Sequence, residues 1–256
     1  KFWKIPNWQK LLVGKKVSEK FDVNNICLLD CDIIINYHGS PDIFQFYKNK
    51  KSFGLISQVN NLPYDEYVVK KRMAYFRNKY YSKKYPLDSA LFMKLKDVYK
   101  YNKLPPQKDY ACTGVVIFNA KNHSDIMNSW FFKYDKKIKT LTGGGEEGHF
   151  NYEMQKTKKI TWLSYKFQAL WNYEMAYNYP FLYKYRNNKK FIIECVRASI
   201  MNNYFLHFAG LWHESEAWQN KSIFNNKNYE SLIKNYEKYL IQKPSGKSKG
   251  VKKPYK

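Results

Sequence analysis

The sequence predicts a layered α/β protein in which helices cover a sheet of buried strands. Apolar runs of strand length alternate along the chain with segments that repeat their apolar residues at helical spacing. Residues 26–35 are almost continuously apolar, which is typical of a strand covered on both faces. With 256 residues, 44% of them hydrophobic, the chain can bury a sizeable core.

Six segments have the composition and boundaries of strands. Asn24-Asn25 precedes the first, which we expect to be a central strand, and Pro105-Pro106 precedes the third. The last three are short and rich in apolar and aromatic residues. The predicted strands are residues 26–35, 53–59, 110–119, 160–163, 191–196 and 204–208.

Five segments have the periodicity of helices. Two of them separate the second and third strands, two more follow the third strand, and an amphipathic one lies near the end of the chain. We expect Asn122 or Ser124 to cap the third helix. The predicted helices are residues 65–81, 88–102, 124–137, 146–156 and 228–241.

A basic tail follows the predicted domain, residues 1–241. The chain has 45 Lys and Arg residues against 21 Asp and Glu residues, a net charge of +24, but only four arginines. Nucleic-acid recognition usually relies on the forked guanidinium, so we expect no specific nucleic-acid partner. Residues 242–256 hold six lysines and no acid, and we expect a disordered tail suited to peripheral contact with an anionic membrane surface.

The cysteines predict neither a zinc cluster nor a disulfide framework. Cys27, Cys31, Cys112 and Cys195 form no C-x-x-C pair, and the first three lie in apolar, strand-like runs, which predicts buried thiols. Free thiols favour a reducing compartment, and no stretch has the apolar length of a bilayer span. We therefore expect a cytoplasmic protein, at most peripheral to the inner face of a membrane.

Asp30 and Asp32 are the most informative pair in the sequence. Residues i and i+2 of a strand point to the same side, so both carboxylates would share one face of an apolar strand. Their desolvation is costly unless a positive group compensates it. Mg²⁺ or Mn²⁺ would do so, and would hold a diphosphate at the end of the strand. The alternative is that backbone amides and lysines satisfy both carboxylates.

Five short motifs give the chain a family resemblance. In order they resemble motifs of the glycosyltransferases of GT-A fold, in particular family 8, the glycogenin and lipopolysaccharide galactosyltransferase group. The resemblance implies a GT-A-like (Rossmann-like) mixed sheet flanked by helices. Since only 29 residues precede Asp30, it also implies an incomplete N-terminal nucleotide-binding part and weak nucleotide affinity of this chain alone. The motifs are Leu28-Leu29-Asp30-Cys31-Asp32-Ile33-Ile34-Ile35, Tyr110-Ala111-Cys112-Thr113-Gly114-Val115-Val116-Ile117-Phe118-Asn119, Glu146-Glu147-Gly148-His149-Phe150-Asn151, Leu163-Ser164-Tyr165-Lys166-Phe167-Gln168 and His207-Phe208-Ala209-Gly210.

The resemblance implies a metal centre of Asp30, Asp32 and His207 around Mn²⁺ (or Mg²⁺). Two carboxylates and an imidazole form a reasonable ligand set for Mn²⁺. From the residues alone, a single histidine in a strand is more often a core residue than a ligand. His213 is an alternative ligand.

The resemblance also implies contacts with a nucleotide-sugar donor. Gly114 has no side chain, so a sugar could approach the backbone there; the alternative is a bulge in a buried strand. Cys112 and Gln168 stand where the family has Asn, and the family lysine that holds the diphosphate is missing after Gly210. The predicted donor-binding residues, with Asp30 and Asp32, are Thr113, Gly114, Gln168, Gly210 and Trp212.

Glu146 and Glu147 are the predicted catalytic residues. They follow three glycines and begin a predicted helix, where acids can stabilise the positive end of the helix dipole. In the functional interpretation one of them faces the acceptor, either as a general base in an inverting reaction or as a hydroxyl-positioning group in a retaining one. The family resemblance favours retention.

These observations predict a metal-dependent hexosyltransferase of carbohydrate biosynthesis. The expected donor is a nucleotide-diphosphate sugar, most simply a UDP-hexose, and the acceptor is a hydroxyl of a glycan or glycoconjugate. The alternative is a non-catalytic basic module that binds nucleic acid or anionic surfaces, in which Asp30 and Asp32 are structural.

Overall fold

The computed structural model describes residues 4–81, 93–135, 138, 140 and 145–209. All of them lie in one compact unit, Lys1–Gln219. The predicted helix at 228–241, the tail at 242–256 and the boundary between tail and domain lie outside these residues. None of the described helices is long and apolar enough to cross a membrane.

The strands form two small sheets. The strands are β1 (Asn25–Leu29), β2 (Ile33–Ile35), β3 (Phe53–Ser57), β4 (Ala111–Asn119), β5 (Ile160–Leu163), β6 (Ala169–Leu170) and β7 (Phe205–His207). The first sheet has the order β1-β4-β3-β5; β4 is antiparallel to both of its neighbours, whereas β3 and β5 are parallel. The second has the order β2-β7-β6, with β2 antiparallel and β6 parallel to β7. The fold is therefore α/β with mixed strand directions, as the sequence predicts.

Strand β4 is the central element of the larger sheet. All nine of its residues are buried. Val116 and Phe118 point into one apolar core, while Val115 and Ile117 point into a second core on the other face. Because the strand is covered on both faces, its sequence is apolar without alternation.

Seven helices surround the sheets in the described residues. Asp65, Asn119 and Asn188 cap three of them by accepting hydrogen bonds from backbone amides of the first turn. Gly14 of the first helix lies where a β-carbon would be 2.8 Å from Phe118, so a glycine allows this helix to pack closely. The helices are α1 (Lys10–Ser18), α2 (Glu66–Tyr80), α3 (Leu95–Tyr101), α4 (Ala120–Lys133), α5 (Glu147–Lys156), α6 (Trp171–Asn178) and α7 (Lys189–Asn202).

The first predicted strand is wrong in an informative way. Residues 26–35 form two strands in different sheets, and β1 lies at one end of its sheet with partly buried residues. The break falls at Asp30-Cys31-Asp32, where the carboxylates need polar surroundings. Cys31 is exposed rather than buried, because it lies in this connection.

Helices α1 and α6 and strand β6 have no predicted counterpart, and two other predicted elements differ from the structure. Residues 191–196 belong to helix α7, not to a strand, because Ile192, Val196 and Ile200 form the buried stripe of an amphipathic helix. Helix α4 begins at Ala120, four residues earlier than predicted, because Asn119 at the end of β4 is itself the cap. The other predicted elements within the described residues are confirmed, with their ends shifted by a few residues at most. The start of the predicted helix 88–102 cannot be compared in this way, because residues 88–92 are not described; α3 covers Leu95–Tyr101 of it.

Candidate metal centre

Backbone pairing brings Asp30, Asp32 and His207 together. Strand β1 ends at Leu29, and the Asp30 amide still donates to the Gly114 carbonyl, 2.9 Å away. The Asp32 carbonyl accepts from the Phe208 amide at 3.0 Å, directly before β2 pairs with β7. The D-x-D connection is thus held by both sheets, and its carboxylates lie beside a histidine that is distant in sequence.

The three side chains form a compact group of possible ligands. The His207 Nε2 atom is 3.2 Å from Asp32 Oδ1 and 3.8 Å from Asp30 Oδ2. One ligand atom from each residue lies within 4.8 Å of the others. The carboxylate side chains are 29% and 27% exposed, whereas that of His207 is 3% exposed. An ion could therefore enter from the carboxylate side, while the imidazole is fixed by the protein.

The distances fit a divalent cation. Adjacent ligands of an octahedral ion with bonds of about 2.1 Å are about 3 Å apart, and opposite ligands about 4.2 Å apart. The two distances from His207 Nε2 to the carboxylates, 3.2 Å and 3.8 Å, lie within this range. Two carboxylate oxygens and one imidazole nitrogen could hold a divalent metal ion. Burial would raise the Asp32 pKa, but the hydrogen bond from His207 outweighs it and lowers the pKa.

Lys10 is the residue of this site that the sequence did not reveal. Its Nζ atom lies 2.6 Å from Asp30 Oδ1, 3.3 Å from Glu146 Oε1 and 3.2 Å from the Thr113 carbonyl oxygen. Burial would lower the Lys10 pKa, but the carboxylates of Glu146 and Asp30 outweigh this effect and raise it. Nothing in the local sequence distinguishes Lys10 from the other lysines, because its partners come from three distant segments.

Glu146 and Glu147 are adjacent in sequence but have different surroundings. Glu146 is 2% exposed, accepts a hydrogen bond from Thr113 Oγ1 at 2.9 Å and pairs with Lys10. Its side chain makes no capping hydrogen bond to α5 in the described structure. Burial, followed by the nearby charge of Glu146, raises the pKa of Glu147 to about 8. The Glu147 carboxyl therefore carries its proton at neutral pH and lies beside a second carboxyl group, that of Glu146.

The space above Gly114 is filled by side chains of the site. A β-carbon on Gly114 would be 2.3 Å from His207 Cε1 and 2.7 Å from Gln168 Nε2. The glycine therefore makes room for His207 and Gln168, which is a different reason from the predicted approach of a sugar. Cys112 Sγ and Gln168 Nε2 lie 3.5 Å and 3.1 Å from His207 Nδ1. Burial raises the pKa of the Cys112 thiol, so it remains neutral beside the ring.

Buried polar atoms without partners follow strand β6. Leu170 pairs with His207, and the next three residues have buried side-chain polar atoms that lack a hydrogen-bond partner in the described ranges. The atoms are Trp171 Nε1, Asn172 Nδ2 and Oδ1, and the Tyr173 hydroxyl. The sequence indicates only Trp171 among them, as one of several tryptophans that could stack on a sugar, because aromatic and amide residues are common throughout the chain.

Most predicted site residues meet in this region. Gly210 and Trp212, like the alternative ligand His213, lie outside the described residues. The predicted residues that lie around the centre are Asp30, Asp32, Thr113, Gly114, Glu146, Glu147, Gln168 and His207.

Comparisons of the chain with protein-family models, with curated proteins and with solved structures found no match. The geometry of the site and the order of its sequence motifs are therefore the basis for a function.

Proposed function

We propose that the protein is a metal-dependent glycosyltransferase of GT-A-like fold. It moves a hexose from a nucleotide-diphosphate sugar, a UDP-sugar, to a hydroxyl of a glycan or glycoconjugate. The observation that supports this most strongly is the group formed by Asp30, Asp32 and His207, which is open to solvent on its carboxylate side. The motif order across residues 26–212 provides the link between this metal centre and glycosyl transfer.

Asp30, Asp32 and His207 would hold the ion. Bound Mn²⁺ or Mg²⁺ supplies neutralisation of the negative charge that a diphosphate gains as it leaves the sugar. Lys10 contributes a further positive charge beside Asp30, and it compensates for the absence of the family lysine after Gly210. A fixed ammonium in a largely buried site needs little reorganisation, so it can stabilise the same developing charge.

Glu147 is suited to positioning the acceptor. With a pKa of about 8, it carries its proton at neutral pH and can donate a hydrogen bond to a sugar hydroxyl. A general base would have to be ionised, so this protonation state favours the positioning role and, with it, retention of configuration.

The alternative function, a basic module that binds polyanions, makes a different prediction. In that case Lys10 and His207 would only neutralise Asp30 and Asp32. A panel of sugar nucleotides, assayed with and without Mn²⁺, separates the two functions. We expect Mn²⁺-dependent release of the nucleotide diphosphate that Asp32→Asn abolishes and that Asp125→Asn, at a surface residue, preserves. Failure of every donor, together with polyanion binding that weakens steeply with salt, would favour the alternative.

A further inference from the structure

A buried amide lies directly behind the imidazole of the candidate metal centre. Gln168 is 1% exposed, and its Nε2 atom is 3.1 Å from His207 Nδ1. Its Oε1 atom is buried and has no hydrogen-bond partner among the residues that the structure describes. The other ring nitrogen of His207 faces Asp32. Gln168 therefore contacts the far side of a candidate ligand, and one of its own polar atoms is unused.

The protonation of the ring must differ between the metal-free and metal-bound states. Without metal, Nε2 lies 3.2 Å from Asp32 Oδ1, and a ring whose one proton is on Nε2 donates to that carboxylate and accepts at Nδ1 from the Gln168 amide. A metal ion needs the lone pair of Nε2, so the single proton of the ring must then be on Nδ1. A proton on Nδ1 needs an acceptor, and the Gln168 Nε2 atom cannot be one.

We propose that Gln168 is a positioning residue that sets the tautomer of His207 by turning its amide. A half-turn of the amide exchanges its two ends and brings Oε1 to the place beside Nδ1 now held by Nε2. The carbonyl oxygen then accepts from Nδ1–H and leaves Nε2 free for the ion, as outer hydrogen-bond partners do at many metal-bound histidines. The ring keeps one proton throughout: Nε2 loses a proton to water, and Nδ1 gains one from water. The proposal rests on the metal centre of the proposed function.

The surroundings favour this role for Gln168. Cys112 is the other group beside Nδ1, at 3.5 Å, but its sulfur is a weak acceptor. Gln168 ends the short turn Tyr165–Gln168, and two residues later Leu170 pairs with His207 in the same sheet, so the two backbones are held in register. The missing side chain of Gly114 leaves the space that the ring and the amide share.

Nitrogen NMR of the full chain, with ¹⁵N-labelled histidine, measures the tautomer directly. Mg²⁺ is the probe, because it is diamagnetic. We expect the wild-type His207 to carry its proton on Nε2 without metal and on Nδ1 with Mg²⁺. A ring that keeps the Nε2 proton at saturating Mg²⁺, or that already carries its only proton on Nδ1 without metal, overturns the exchange.

Variants test whether Gln168 causes the exchange. Gln168→Met removes the acceptor, and we expect Mn²⁺ affinity, measured by electron paramagnetic resonance, to fall about 10- to 100-fold. In Gln168→Glu an ionised carboxylate can only accept hydrogen bonds, so we expect His207 of this variant to carry a proton on Nδ1 even without metal. This variant also tests the proposal if Gln168→Met does not fold. Gln155→Met, which removes a distant amide, is the control and should keep wild-type affinity. If the wild type binds Mn²⁺ and both Gln168 variants bind it equally well with an unchanged tautomer, the role of Gln168 is refuted and the metal centre stands. If the wild type binds no Mn²⁺, both the role of Gln168 and the metal centre are refuted.

Discussion

Replacing Gly114 by alanine would place a methyl group where the ring of His207 lies. The new β-carbon would be 2.3 Å from His207 Cε1 and 2.7 Å from Gln168 Nε2. Ordinary contacts between carbon atoms are about 3.5–4.0 Å, so the ring would have to withdraw by more than about 1 Å. Its backbone cannot follow, because β7 is paired with β2 on one side and with β6 on the other.

The expected cost of this substitution has two parts. Overpacking of a close-packed site typically costs about 1–3 kcal/mol, and we expect the free energy of unfolding to fall by that amount. The ring must move back against this strain before Nε2 can bind the ion. A cost of about 1–3 kcal/mol lowers Mn²⁺ affinity by about 5- to 150-fold, because about 1.4 kcal/mol is a factor of ten. Denaturant unfolding and an electron paramagnetic resonance titration with Mn²⁺ measure the two quantities.

Gly54→Ala is the matched control, because Gly54 lies on the neighbouring buried strand β3. A β-carbon there would be 3.1 Å from Ile117 Cβ and 3.2 Å from Tyr47, a milder overlap that is remote from the ligands. We expect some loss of stability and wild-type Mn²⁺ affinity. The reasoning is refuted if Gly114→Ala leaves both stability and Mn²⁺ affinity unchanged.

Two further substitutions test the charges of the site. Glu147 has a pKa of about 8 in the folded protein and of about 4.5 in the unfolded chain. Between these values only the unfolded chain loses the proton, so the free energy of unfolding should fall as the pH rises, by about 5 kcal/mol in total. Chemical denaturation across pH should show a flatter profile for Glu147→Gln and an unchanged one for the exposed Glu194→Gln; equal slopes for all three proteins would contradict a carboxyl that the fold keeps neutral. Lys10→Met removes the cation beside Asp30, so the metal-free protein should lose about 3 kcal/mol, and Mn²⁺ should bind more tightly and restore stability. The control Lys15→Met, at an exposed residue, should change neither the stability nor the Mn²⁺ affinity. Weaker Mn²⁺ binding by Lys10→Met would show that the ammonium does not compete with the ion.

Part of the site could be read from the sequence because its chemistry is local. Asp30 and Asp32 stand out as two acids in an apolar run, and His207 lies within a predicted strand that is confirmed as β7. Lys10 could not be found this way, because its role depends on contacts that only tertiary structure creates. Gln168 was predicted as a donor contact, whereas in the structure it faces His207.

The fold could be predicted where burial and periodicity agree. Strand β4 is buried on both faces and was predicted within one residue of its ends. The run 26–35 is equally apolar, but apolarity does not reveal that a chain leaves one sheet and joins another. The short window 191–196, with its Phe and two Ile residues, predicts a strand because it hides the 3.6-residue repeat that the full 14 residues of helix α7 show.

Direct titration of the metal-free chain with Mn²⁺ is the sharpest test of the metal centre. We expect binding of one ion per chain, lost on Asp32→Asn or His207→Gln and retained on Asp125→Asn. Absence of binding by the wild-type protein, or binding that survives both ligand substitutions, would contradict a centre built from Asp30, Asp32 and His207.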